Sequence, residues 1–200
     1  ELQKNAVLAS FFSITGTGAN VVFTANVRAA NDATMNAAYD NGTSAGLTPG
    51  PTAANTTAGV APVAQVETAT VVATVTVSGN ALVTVTAAGM NNSPKAINVP
   101  VLNGDDANAV ATKIRAALAA DADVNALFTV SGATSAVILT RTNPAGVAND
   151  ATLNIAIATG TATGITAAPT SANTTAGVAG TQQVETMTIV GTPTIDGSIV

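Results

Sequence analysis

Ala54-Asn55-Thr56-Thr57-Ala58-Gly59-Val60-Ala61 is spelled a second time, without a change, at residues 172–179. The same offset of 118 carries Ala30-Asn31-Asp32-Ala33-Thr34-Met35-Asn36 onto Ala148-Asn149-Asp150-Ala151-Thr152-Leu153-Asn154, and Gln65-Val66-Glu67-Thr68 onto residues 183–186. Over residues 30–68 against 148–186, 25 of 39 positions are identical. Upstream the match continues at an offset of 116, with Phe12, Ile14, Gly16, Val21 and Phe23 facing Phe128, Val130, Gly132, Val137 and Leu139. A two-residue insertion near Asn143-Pro144-Ala145-Gly146 absorbs the difference. A period of this size is that of a domain, not of a solenoid turn. The expected organisation is a partial copy over residues 1–67, a complete copy over 68–185 and the start of a further copy over 186–200. On this reading the chain is a processed product or a window of a longer tandem array, and the strand edges at both its ends lack partners within it.

Within the complete copy, Thr68 to Val77 is β-branched and mostly alternating, the pattern of a strand with one buried face. Ser78-Gly79-Asn80 reads as a turn and Leu82 to Thr86 as the returning strand of a hairpin. Residues 96–101 predict a third strand, with Pro100 placing it at an edge. Asp105-Asp106 then opens a helix over 107–120, because an aspartate side chain accepts backbone N–H groups at a helix start and complements the macrodipole. Its apolar stripe is Val110, Ile114 and Leu118. Residues 127–130 and 136–140 predict a second hairpin, 151–158 a further strand and 164–166 a short one, while 167–180 reads as an extended, linker-like arm. The expected fold class is mostly β (α+β): tandem domains of about 118 residues, each a twisted β-sheet or sandwich with one covering helix. The helix stripe together with Phe128, Val130, Val137 and Leu139 is the expected core.

Composition narrows what such a chain does. Of its 200 residues 43 are alanine and 33 threonine, so the core is built from small side chains. Histidine, cysteine and tryptophan are absent, which removes Ser-His-Asp and Cys-His nucleophiles, imidazole or thiolate metal sites and disulfides together. With 6 basic against 11 acidic residues and aromatics at 2%, neither the electrostatic footprint nor the stacking platforms of a nucleic-acid binder exist. No apolar run approaches the length needed to span a bilayer as a helix, so no membrane insertion is expected, and no signal peptide is readable at the start.

The residues that invite chemistry have structural readings. Asp105 and Asp106 are a formal acid/base or cation pair but suit a helix cap. Asp121 and Asp123 lie where surface turns are expected, without the spacing of a calcium loop. Gly16-Thr17-Gly18 and Gly160-Thr161-Ala162-Thr163-Gly164 resemble phosphate loops only faintly and read as turns, since neither opens a predicted helix. Expected catalytic residues, cofactors and metal ligands are therefore none, and an enzyme is not expected.

The runs Lys113 to Asp121, Leu127 to Gly132, Ala148 to Ala156 and Ala167 to Gly177 resemble repeat modules in predicted structural proteins of tailed bacteriophages. The resemblance implies a non-enzymatic component of a virion, located in its fibre, tail or capsid surface, and carries over no catalytic residue. It implies as partners other copies of the chain, other virion subunits and a host surface. Composition and repeat alone leave a second class open, a bacterial surface adhesin or extracellular filament, although only Tyr39 and four phenylalanines exist to serve as glycan platforms.

Overall fold

Alternating β-branched residues form strands and the alanine-rich stretch forms the long helix in the computed structural model, which describes residues 2–50, 52–142 and 146–199. In chain order a short helix α1 (Ala6–Phe11) leads into β1 (Phe12–Thr15), β2 (Asn20–Arg28), β3 (Ala45–Thr48) and β4 (Ala54–Thr57). The strands β5 (Val66–Thr70), β6 (Ala73–Val77), β7 (Gly79–Thr86) and β8 (Lys95–Val101) follow, and then helices α2 (Ala107–Ala120) and α3 (Ala122–Leu127). After these come β9 (Phe128–Ser131), β10 (Ala136–Arg141), β11 (Asn154–Ala158), β12 (Thr163–Ile165), β13 (Ala172–Thr175), β14 (Gln182–Thr188) and β15 (Val190–Ile195). The fold is mostly β, in several small antiparallel sheets.

The chain divides into two compact units, one of residues up to Pro62 together with those from Gly180 onward, the other Val63–Ala179. In the second unit one sheet runs in the order β13-β5-β10-β9, a second in the order β11-β7-β8, and β12 pairs with β6. Helix α2 packs on β8, β9 and β10. Its Val110, Ile114 and Leu118 are fully buried in one cluster with Phe128, Val137 and Leu139, as the sequence predicts, and Val130 packs against that cluster half-buried. Asp106 caps the helix by accepting the Ala109 N–H at 2.8 Å.

Four expectations change in this unit. The single strand expected over Thr68–Val77 is two, β5 and β6, which pair in different sheets. The strands β6 and β7 do not form a hairpin: β6 pairs with β12, and β7 lies between β8 and β11. Gly79 permits this arrangement, since a side chain there would collide with the backbone of Thr161 and Ala162. The turn expected after Asp121 is helix α3, because the Asp121 carboxylate accepts the N–H groups of Asp123 and Val124 and caps a new turn whose Val124 is buried. The arm 167–180 is not a free linker: its residues Ala172–Thr175 pair with β5 as an edge strand.

In the first unit one sheet runs in the order β1-β2-β14-β4, and β15 pairs with β3. Carried across by the repeat offsets, this is the order β9-β10-β5-β13 of the other unit, with β6 and β12 for β15 and β3. The registers agree as well: Ile14 faces Phe23 as Val130 faces Leu139, and Glu185 faces Phe23 as Glu67 faces Leu139. Gly16 and Gly132 occupy the same hairpin position, where a Cβ would collide with the carbonyl oxygen of Asn20 or of Ala136, and that close approach explains why both copies keep glycine. The strands from Thr186 onward, expected to lack partners, have them: β14 is paired on both edges, to β2 and to β4, and β15 pairs with β3. A smaller core closes this unit around Ile14, Phe23, Tyr39 and Met187. Segment 36–40 is the repeat counterpart of β11 but forms only a bridge, Tyr39 to Gly50, where β11 has β7 to pair with.

Replacing Ile114 by alanine empties a fully buried site between helix and sheet and is expected to cost about 2–4 kcal/mol in chemical denaturation. A loss under about 0.5 kcal/mol would show that the helix does not hold that sheet.

Candidate functional site

The feature common to both units is a docking slot for one strand. In each four-stranded sheet the strand carrying Gln-Val-Glu-Thr, β5 or β14, sits between an inner hairpin strand and an edge strand that comes from the Ala-Asn-Thr-Thr motif. Backbone ladders hold it from both sides, and threonine hydroxyls add a cross-strand contact, Thr68 to Thr174 at 3.1 Å and Thr186 to Thr56 at 3.2 Å.

Polar side chains fix its position along the slot. The amide of Gln65, 1% exposed, accepts the Asp150 N–H at 2.7 Å and donates to the Asp150 carbonyl at 3.0 Å. Gln183, 4% exposed, treats Asp32 in the same way, at 2.7 and 2.9 Å. The side-chain amide thus replaces a strand partner for a loop residue that has none. Asp150 and Asp32 in turn accept the N–H and hydroxyl of Thr152 and Thr34, which tightens the loop into an Asx turn. The neighbouring Asn149 and Asn31 tie the same loop to the edge strand: Asn173 and Gly177 donate to Asn149, and Asn55 and Gly59 donate to Asn31. Every residue of this lock lies in the stretch that the two copies share.

The next inward residue of the strand differs in its partners. Glu67 is 2% exposed and its Oε1 accepts the Ser171 hydroxyl, while its Oε2 meets no hydrogen-bond partner. Glu185, equally buried, accepts the Gln183 amide at 3.2 Å, and Ala53 stands where the other copy has Ser171. A cleft of about 400 Å³ opens there, lined by Asn31, Asp32, Asn55 and Glu185. Sequence reasoning treats Gln65 and Glu67 only as letters of the repeat. The readable signal was the identical return of two long polar side chains on one face of a strand whose other inward residues are apolar.

The four aspartates weighed as acid/base or cation candidates are engaged in structure. Asp105 accepts the Leu102 N–H at 2.7 Å and pairs with Lys113, and these bonds hold its carboxyl below the usual value. Lys95 bridges Asp123 at 2.7 Å and Asp121 at 3.3 Å, and Asn92 donates to Asp123. The two pairs are thus separate, each tied to a helix start. Among the described residues no group of three or more metal-capable side chains exists. Of the glycine-rich segments, 16–18 is the β1–β2 turn and 160–164 runs from a turn into β12.

No family model, no curated protein and no solved structure matches this chain.

Replacing Gln65 or Gln183 by leucine keeps the volume but strands the N–H of Asp150 or Asp32 and leaves its carbonyl only the Leu153 or Met35 N–H, for an expected loss of about 1–3 kcal/mol. Urea denaturation followed by hydrogen exchange would assign each loss to its own unit, and equal protection in variant and parent would refute the lock.

Acid should loosen the second unit through Asp150. Burial pushes its carboxyl up, but the hydrogen bonds from Thr152 and from the Ala88 N–H, with the Arg141 charge, outweigh it and hold it below its ordinary value of 3.8. A carboxyl lowered on folding adds stability that is complete above that ordinary value and is lost as pH falls from there through the lowered value of the folded state. Asp150→Asn is therefore expected to weaken the protein at pH 7 and to flatten the acid limb of its stability profile; an unchanged acid limb would remove Asp150 from the account.

Proposed function

We propose that the chain is a non-enzymatic structural repeat protein of a phage virion, building or decorating its fibre, tail or capsid surface. Its repeating element on this reading is a module of about 118 residues, a twisted sheet or sandwich with one covering helix, of which the chain holds one complete copy over 68–185 and parts of two others. The observation that carries the reading is the lock itself. Gln65/Gln183, Asp150/Asp32 and Asn149/Asn31, all returned unchanged by the repeat, are spent on fixing one strand in one register. Selection for shape explains such a pattern, and selection for turnover does not. The resemblance of the helix-to-hairpin run 113–132 to phage structural modules supplies the setting.

An antibody against the chain, used for gold labelling of purified tailed particles, tests the setting. Regular labelling of one part of the particle is expected. Recovery of the chain in a bacterial surface fraction with unlabelled particles would overturn the virion reading in favour of an adhesin or filament.

A further inference from the structure

The geometry points to the slot between β2 and β4 as a binding site for a second copy of this chain, whose residues 180–199 enter it in place of the chain's own. This rests on the structural reading above and names the partner it leaves open.

Three observations carry it. First, the slot belongs to residues up to Pro62, but the strand that fills it, β14, comes from beyond Gly180, after a complete unit of its own. Withdrawing 180–199 removes no strand from Val63–Ala179, whose sheets draw only on β5 to β13. The arm is therefore separable. Second, it is indispensable where it lands: it is an interior strand, and without it β2 and β4 share no ladder, Asp32 loses Gln183, and the core loses Met187. An emptied slot presents two strand edges and an apolar floor, which demand a replacement. Third, the recognition is written in the sequence twice: Gln-Val-Glu-Thr docks by the same register and the same lock in both units, so any copy's arm satisfies the slot.

Closed and exchanged forms make the same bonds within this unit and differ only in which chain supplies the arm. The balance is then set by concentration. A chain in dilute solution fills its own slot; copies crowded above the effective concentration of the tethered arm, in the millimolar range for short linkers, exchange. Each copy gives one arm and receives one, reciprocally in a closed dimer or from a different neighbour in a larger ring or a filament.

The chain has no cysteine, so a disulfide can report the exchange. Asn20 and Thr188 face each other across β2 and β14, both exposed, with the Thr188 hydroxyl donating to the Asn20 side chain at 2.9 Å. Full chains carrying Asn20→Cys alone and Thr188→Cys alone would be unfolded together, refolded at rising protein concentration and held in a glutathione redox buffer. A mixed disulfide dimer that exceeds both homodimers and grows with refolding concentration is expected, and the N20C/T188C double variant should pass from an intrachain bond when dilute to a covalent dimer or ladder when concentrated. An intrachain bond at every concentration, with no excess of mixed dimer, would overturn the proposal while leaving the structural reading to its own test on particles. Absence of both products would overturn it also, since β14 would then not occupy the slot in this register.

Discussion

The side-chain amide of one glutamine carries the organisation of each unit. Gln65 and Gln183 stand on a strand that already has backbone partners on both edges, so their side chains are free to serve a third segment, the loop at Asp150 or Asp32. A buried amide left without partners costs more than a made hydrogen bond returns, so the pairing is close to obligatory once the strand is in place. It converts a loosely specified contact, a threonine- and alanine-rich strand lying among others like it, into a single register. Strands of this composition need such a device, because small side chains with weak shape complementarity discriminate poorly between neighbouring alignments.

The larger core adds what the lock does not provide. Helix α2 lays Val110, Ile114 and Leu118 onto the sheet over Phe128, Val137 and Leu139, and β7, β8 and β11 close the other side with valine and isoleucine. The first unit uses the same sheet order, and its core is the smaller cluster of Ile14, Phe23, Tyr39 and Met187. Two positions of the repeat differ in size between the cores. Met187 stands for Ala69 and Tyr39 for Ile157, in each case a larger side chain that is buried in the smaller core. The Tyr39 hydroxyl accepts the Val190 N–H at 2.8 Å and donates to the Thr48 carbonyl, and so ties β15 and β3 to the small core.

Charge has a supporting role. The scarce ionic groups are concentrated at helix starts and at the Arg141 site, where the guanidinium lies 5.7 Å over the Phe128 ring, donates to the Ala88 carbonyl and stands 3.7 Å from Asp150. Such partly buried groups define local geometry more than they add stability, and their acid/base potential is consumed in doing so.

Much of this was legible in the sequence because its causes are local. Helix α2 follows from alanine content and the Asp106 cap, the β9–β10 hairpin from alternation around a glycine, the edge position of β8 from Pro100, and the likeness of the two sheets from the repeat itself. The tertiary structure alone decided what depends on residues far apart in the chain. The alternation of 73–86 announces strands but not their partners, and β6 and β7 join different sheets because β12 and β11 compete successfully for their edges. An Asp at the end of one helix reads as a turn until its carboxylate caps the next. Gln65 and Glu67 look like exposed polar letters until a loop 85 residues away meets the first. Above all, β14 carries no mark of its destination: its sequence specifies a slot of one kind, and only the folded chain shows that the slot it fills is built by residues more than 120 positions earlier.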